Sequence, residues 1–278
     1  MNILEFSRYN TYFDTIKKGW VDGPTLQEYE IEFLKTLQDN KFTLSVKSRQ
    51  MNFSSLICLH IAYFLVFNSN EIFNIGLVVS KHDAGVHMLT KIAKILEYYN
   101  KLNDVKVPII YNKKSINYDK NKLIIIYGIN GLCSFDYDSV IFDEMAWIKD
   151  AKEKYEGLVV ATQKVHLISS VNSKHNLFND LLISDKNTLL KKNSYHYSLN
   201  KKRYTDAVIS GLKDIYPTKI WDSEMEMIGP KKNEKANKER LIQFRVTDDI
   251  YSQIGSKLIE TGLNLSDYIR SLVVRDLT

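Results

Sequence analysis

The chain has 278 residues, 44% of them hydrophobic, which is enough for one large domain or for a medium domain with a small appendage. Its 38 lysines and arginines outnumber its 33 acidic residues, and the formal charge of +5 permits a polyanionic partner without requiring one. The two cysteines, Cys58 and Cys133, lie singly in apolar runs, which argues against a disulfide framework or a zinc site and favours a reducing compartment.

No segment of the sequence predicts export or membrane insertion. The first residues do not resemble a signal peptide, and the apolar run 56–67 is short of a membrane span and contains His60. We therefore expect a soluble, cytoplasmic protein without a membrane partner.

Apolar patterns predict alternating helices and strands along most of the chain. The predicted helices are 24–37, which Pro24 opens, 54–67, and a third from Asp83 to about Asn100. The predicted strands are 41–46, 75–80, 123–127, 139–142 and 165–169. Strands so apolar and uninterrupted, set between helices, are typical of a mostly parallel sheet that helices cover on both faces.

The segment between the first predicted strand and the next helix has the pattern of a phosphate loop with its lysine displaced. The usual loop is G-x-x-x-x-G-K-[ST], whose N–H groups cradle phosphates. In this register Lys47 takes the place of the first glycine, Asn52 that of the second, Phe53 that of the lysine and Ser54 that of the Mg²⁺-binding hydroxyl. The alternative is an ordinary basic turn that Ser54 caps.

Two later strands end in polar groups that an ATP site would use. The strand 139–142 runs into Asp143 and Glu144, as in a Walker B segment, where the first carboxylate holds Mg²⁺ and the second polarises the attacking water. The strand 165–169 leads to Ser170 and Asn172, whose side chains can sense a γ-phosphate. In each case a strand ending in an ordinary polar turn is the alternative.

Together these segments resemble the large subunit of tailed-phage DNA-packaging terminases over roughly residues 20–228. The matching residues are Lys47-Ser48-Arg49-Gln50 with Phe53-Ser54, then 140–148, then 167–172. The resemblance implies an α/β P-loop ATPase domain of the additional-strand type at residues 1–228, with ATP and Mg²⁺ as cofactors. The implied site residues are Lys47, Ser48, Arg49, Gln50, Asn52, Phe53, Ser54 and Ser55 for ATP, Ser54 and Asp143 for Mg²⁺, Glu144 for catalysis, and Ser169, Ser170 and Asn172 for coupling.

The chain departs from the terminase pattern in its loop and its adenine contact. Asn52 stands where a glycine usually lets the backbone approach phosphate, and a Cβ at this position tightens or blocks the cradle. The glutamine with which terminases often read adenine would fall near Glu30, and no arginine finger stands out, so Arg49 is assigned to binding. Because Glu144 is retained, we expect an ATPase that is slow or stimulated by a partner.

The C-terminal residues predict a linker and a second, small domain. Residues 229–240 are polar and charged after a Gly-Pro break, as in a linker. Residues 241–278 resemble a ribbon-helix-helix DNA-binding domain, which must dimerise to bury a core. The resemblance assigns base contacts to Leu241, Gln243 and Arg245 and a phosphate contact to Ser266 and Asp267. A helical tail on the first domain, or dimerisation without DNA, is the alternative.

Two functions are expected from this combination. The first is a phage or mobile-element protein of the host cytoplasm that couples ATP hydrolysis to DNA packaging or a related DNA transaction. It would act on double-stranded DNA as a homodimer or higher oligomer with phage packaging proteins, and because no nuclease domain follows the linker, another protein would cut the DNA. The second is a DNA-binding regulator or packaging-interference factor whose terminase-like domain is inert or gated by nucleotide.

Overall fold

The computed structural model describes residues 1–9, 11–14, 19–22, 25–68, 73–126, 136–160, 162–172, 175–184 and 189–228, and for 11–14 and 19–22 it describes the backbone only. The chain divides into two units, residues 1–232 and 233–278, and all described residues belong to the first. The predicted linker and ribbon-helix-helix domain, with Leu241, Gln243, Arg245, Ser266 and Asp267, lie outside the described residues.

An eight-stranded, mostly parallel sheet forms the centre of the first unit. Its strands are β3 (Phe42–Lys47), β4 (Asn74–Val78), β5 (Ile109–Tyr111), β6 (Ser115–Tyr118), β7 (Asn121–Ile126), β8 (Ser139–Asp143), β9 (Lys164–Ser169) and β10 (Lys191–Tyr195). Their order is β10-β3-β9-β8-β4-β7-β6-β5, and only the β7-β6 and β6-β5 pairs are antiparallel. A separate antiparallel hairpin pairs β1 (Thr11–Asp14) with β2 (Gly19–Asp22). The predicted mostly parallel sheet is confirmed.

Helices cover both faces of this sheet. They are α1 (Ile3–Phe6), α2 (Glu28–Asp39), α3 (Phe53–Phe67), α4 (His82–Leu102), α5 (Ala151–Val159), α6 (Leu177–Ile183), α7 (Asp206–Ile215) and α8 (Thr218–Glu224). One hydrophobic cluster packs helices α1, α2, α3 and α4 against one face of the sheet, and a second packs α5 and α6 against the other face. None of the helices in the described part of the chain combines the length and the apolar composition that a membrane crossing requires.

The predicted elements match observed ones, with shifted ends. The helix predicted from Pro24 begins at Glu28, because the N–H of Gln27 donates to the carboxylate of Glu30 at 2.9 Å and so forms the cap there. The predicted strand 75–80 ends at Val78. Strand β10 and the antiparallel β5 and β6 have no counterpart among the predictions, because β10 and β6 are largely polar and β5 has only three residues.

Helix α3 is fixed at both ends. It follows Asn52, and nine of its fifteen residues are buried. Beyond its C-terminus, the side-chain amide of Asn121 donates to the carbonyl oxygens of Leu65 and Asn68, at 3.0 and 2.9 Å. Asn121 is itself buried at the start of β7, so the far end of the helix is attached to the sheet.

Candidate nucleotide site

The predicted ATP-site segments meet at one edge of the sheet. Strands β3, β9 and β8 are neighbours and parallel, so their carboxyl ends lie side by side. The loop 48–52 follows β3, Glu144 follows β8, and Ser170 follows β9. Ligand sites of α/β sheets lie beyond the carboxyl ends of the strands, where loops converge.

Ser54 and Asp143 lie in direct contact across this edge. The hydroxyl of Ser54, in the first turn of α3, donates to Oδ2 of Asp143 at 2.8 Å. The other oxygen, Oδ1, is buried and has no hydrogen-bond partner among the described residues. Burial, with the adjacent charge of Glu144, raises the pKa of Asp143 to about 6. An unpaired buried carboxylate oxygen beside a hydroxyl is a donor set suited to Mg²⁺.

Lys47 and Glu144 form an ion pair beside this contact. Nζ of Lys47 lies 2.5 Å from Oε1 of Glu144, and the lysine side chain is only 5% exposed. The N–H of Ser170 and the hydroxyls of Ser169 and Ser170 donate to the second oxygen of Glu144, at 3.2 to 3.4 Å. Burial raises the pKa of Glu144, but Lys47 and these hydrogen bonds outweigh it and hold the pKa below its ordinary value. Glu144 is therefore a carboxylate at neutral pH.

The end of β9 also holds the segment that follows Glu144. The N–H of Ala146 donates to the hydroxyl of Ser169 at 3.1 Å, and the indole N–H of Trp147 donates to the hydroxyl of Ser170 at 3.2 Å. The amide of Asn172 donates to the carbonyl oxygen of Ala146 at 3.1 Å. The three predicted coupling residues thus contact Glu144 or the two residues that follow Met145, so hydrogen bonds link the end of β9 to the segment after β8.

The first half of the loop is bound to the protein itself. The N–H of Ser48 donates to the carbonyl oxygen of Tyr195 at 2.9 Å, and the hydroxyl of Ser48 donates to the carbonyl oxygen of Met225 at 2.6 Å. The N–H of Arg49 donates to the carbonyl oxygen of Glu224 at 2.8 Å, and its guanidinium pairs with the Glu224 carboxylate. We call these contacts of Ser48 and Arg49 with Tyr195, Glu224 and Met225 the latch.

The latch occupies groups that were predicted to bind ATP. The guanidinium of Arg203 donates to the side-chain carbonyl of Gln50 at 2.7 Å, so the side chains of Ser48, Arg49 and Gln50 all have protein partners. The Glu224 side chain is buried, whereas half of the Arg49 side chain is exposed. A phosphate at Arg49 would therefore have to share the guanidinium with Glu224 or displace it.

The second half of the loop leaves its N–H groups unoccupied. The N–H groups of residues 50–54 donate no hydrogen bond to another described residue, and they precede or begin the fifteen-residue helix α3. Asn52 adopts a left-handed conformation, with φ 65° and ψ 13°. Glycine and asparagine accept this conformation most readily, so Asn52 can reproduce the backbone of the missing glycine. Unoccupied N–H groups at a helix N-terminus form an anion site.

Phe53 and Ser55 serve the fold of the loop. Phe53 is 1% exposed, and its ring packs on Phe33 and Tyr195 with centroids 4.3 and 5.1 Å apart, so only its backbone faces the site. The N–H of Ser55 donates to the carbonyl oxygen of Asn52 at 3.0 Å. Glu30, at the position expected for an adenine-reading glutamine, instead accepts hydrogen bonds from Gln27 and Asn52.

No family model and no curated protein matches this sequence. Solved structures do match its fold. An arginine-to-alanine mutant of the large terminase ATPase domain of Thermus phage P74-26 superposes with a TM-score of 0.59 at 11% identity, over 74% of this chain and 94% of that one. The large terminase of a thermophilic bacteriophage, solved in complex with ADP, gives 0.56 at 10% identity, over 73% and 53%.

A third structure, the large terminase of bacteriophage HK97, gives a TM-score of 0.53 at 16% identity, over 84% of this chain and 49% of that one. The chain has the fold of a phage large terminase ATPase domain. It spans about half the length of the ADP-bound terminase and of the HK97 terminase. The terminase-like fold accounts for the sheet and for the convergence of the three polar segments at one edge.

Proposed function

We propose that residues 1–228 bind and hydrolyse ATP with Mg²⁺, and that the chain uses this activity on double-stranded DNA in phage DNA packaging or a related DNA transaction. One observation carries the proposal: the Ser54 hydroxyl donates to Asp143, whose other oxygen is buried and unpaired among the described residues. A thermophilic phage terminase with the same fold is solved in complex with ADP, and this supports nucleotide binding.

The residues present fit Mg²⁺ and ATP. No group of three or more His, Cys, Asp and Glu side chains in the described ranges could hold a metal, so Ser54 and Asp143 would share the ion with phosphate and water oxygens. Bound Mg²⁺ would neutralise charge on the phosphates. The N–H groups of residues 50–54 and Lys47 would bind the phosphates, and Glu144 would accept a proton from the attacking water.

The C-terminal region adds the proposed DNA contacts. Residues 241–278 would dimerise and place Leu241, Gln243 and Arg245 against base edges, with the helix start at Ser266 and Asp267 against a phosphate. The chain would act in the host cytoplasm as a homodimer or higher oligomer, with packaging proteins and a separate nuclease as partners. The fold, which is that of phage large terminases, supports a DNA partner.

The latch favours a second candidate, a DNA-binding regulator whose terminase-like domain is gated by nucleotide. Two N–H groups of the loop and the Arg49 guanidinium are bound by Tyr195 and Glu224. A loop closed in this way binds nucleotide weakly until these contacts open. In such a protein, the occupied loop would change the segment that leads into residues 229–240 and so report nucleotide to the DNA-binding region.

Hydrolysis with and without DNA separates the two candidates. We expect Mg²⁺-dependent phosphate release by the native chain, stimulated by double-stranded DNA, and a loss of roughly 100-fold or more in Glu144→Gln, because a positioned general base contributes at least that much. Tight, specific DNA binding without turnover in either protein would instead establish the regulator.

A further inference from the structure

We infer that Glu30 is a positioning residue of the phosphate loop, whose carboxylate holds Asn52 in the left-handed conformation that the usual loop obtains from glycine. The contacts that support this role lie at the start of α2. Its effect on nucleotide binding rests on the proposed function. It assigns to Glu30 a role unlike adenine recognition, which the sequence position suggested.

The conformation of Asn52 needs support. Its φ of 65° lies in the left-handed region, which asparagine enters more readily than most residues but less readily than glycine. The side-chain amide of Asn52 donates to Oε1 of Glu30 at 3.3 Å. A hydrogen bond to a carboxylate is stronger than one between neutral groups, so this contact favours the rotamer and backbone that permit it.

The carboxylate of Glu30 is itself fixed. Glu30 is 6% exposed, and its Oε2 accepts the N–H of Gln27 at 2.9 Å in the first turn of α2. The N-terminus of a helix favours a negative charge, which stabilises a carboxylate at this position. The hydroxyl of Tyr29 approaches Oε1 at 3.5 Å. Glu30 is therefore a fixed acceptor that α2 presents to the loop.

A second contact ties the same helix start to the neighbouring loop residue. The hydroxyl of Tyr29 lies 3.4 Å from the carbonyl oxygen of Met51, and the amide of Asn200 donates to that hydroxyl at 3.1 Å. The start of α2 thus contacts Met51 and Asn52 in succession. Because the φ and ψ of Asn52 set the direction of the next N–H group, this scaffold decides whether the N–H groups of Phe53 and Ser54 converge on a phosphate.

A double-mutant cycle on the full chain tests the role. Glu30→Ala should weaken Mg²⁺–ADP binding about tenfold, the effect of losing one hydrogen bond to a charged group. In the Asn52→Gly background, where the backbone needs no support, Glu30→Ala should change affinity by less than about twofold. Calorimetry measures both. If Glu30 acted only through the cap of α2, the loss would be the same in the two backgrounds, and the inference would be overturned.

Hydrogen exchange of the nucleotide-free proteins provides a readout that does not depend on ATP. Glu30→Ala should speed exchange of the N–H groups of Ser55 and Leu56, which donate to the carbonyl oxygen of Asn52 at 3.0 and 3.2 Å, and unchanged exchange there would also overturn the inference. Faster exchange in a chain whose native form binds no Mg²⁺–ADP would support the role of Glu30 in the loop and contradict the proposed function instead.

Discussion

Nζ of Lys47 lies 2.5 Å from Oε1 of Glu144, so the displaced loop lysine and the carboxylate after β8 are paired at the edge of the sheet. The pair balances two charges that would otherwise be costly in a site from which the protein excludes much of the water. A bound phosphate would compete with Glu144 for Lys47. In the proposed nucleotide complex, the phosphate would share the ammonium of Lys47 with Glu144 or replace Glu144 as its partner.

Replacing Lys47 should affect both stability and binding. We expect Lys47→Ala to lower Mg²⁺–ADP affinity by at least about tenfold and the free energy of unfolding by about 2 kcal/mol, because Glu144 loses its charged partner. Lys35→Ala is the matched control, since it removes the same charge from an exposed position of α2. Calorimetry and urea unfolding measure the two effects, and equal ADP affinity in the native chain and Lys47→Ala would contradict the assignment.

The hydroxyl of Ser54 should matter only when Mg²⁺ is present. Ser54→Ala removes the partner of Asp143 Oδ2 and a proposed Mg²⁺ ligand, so ADP affinity with Mg²⁺ should fall about tenfold. Affinity in EDTA should stay the same. Ser54→Thr keeps the hydroxyl and should retain Mg²⁺-dependent binding; a threonine variant as impaired as the alanine variant would point to packing as the cause.

Opening the latch should strengthen nucleotide binding. In Glu224→Gln the side chain loses its charge, so Arg49 is released more readily, and we expect ATP affinity to rise by roughly threefold to tenfold. The gain should disappear when Arg49→Ala is added. If Glu224→Gln only lowers the unfolding midpoint and leaves ATP affinity unchanged, the latch is structural and the nucleotide-gated regulator loses its support.

The stability of the first unit should depend on His166 below neutral pH. Burial and the charge of Lys164 lower the pKa of His166 to about 3, against about 6.5 in the unfolded chain. The unfolded chain then binds a proton that the folded chain does not, so the contribution of neutral His166 is complete above pH 6.5 and is lost as pH falls toward 3.

The measurement is a comparison of pH slopes. Between pH 7 and pH 5 the native chain should lose about 2 kcal/mol more unfolding free energy than His166→Asn, in which this group is absent and other titrating groups are shared. Asparagine can keep a hydrogen bond to Thr43, which lies 3.0 Å from Nδ1 of His166. Parallel curves for the two proteins would show that His166 takes up its proton while folded.

Much of the fold is predictable because buried parallel strands are apolar on both faces. Strands β8 and β9 stand out as apolar runs, and the structure buries all five residues of the first and five of six in the second. Strand β10 has the sequence Lys-Lys-Asn-Ser-Tyr and only its last residue is buried, since it lies at the edge of the sheet. An edge strand needs no apolar run, so the sequence gives little indication of it.

In the candidate site too, the local sequence identifies some residues, whereas contacts between residues far apart in the chain are visible only in the fold. Ser54, Asp143 and Glu144 are predictable because each stands at a fixed distance from a strand or helix end. The latch is not, because Arg49 and Glu224 are 175 positions apart and no sequence pattern pairs them. The left-handed conformation of Asn52 is likewise visible only in three dimensions, since its support comes from Glu30 on another helix.

The attachment of α3 at Asn121 has a mechanical consequence. A fifteen-residue helix is a rod of about 22 Å, and this one follows the loop 48–52 at one end and receives two hydrogen bonds from Asn121 of β7 at the other. A close-packed rod transmits displacement along its axis with little loss. If a bound phosphate displaced the start of the helix along its axis, either β7 would move with the helix or the hydrogen bonds from Asn121 to Leu65 and Asn68 would break.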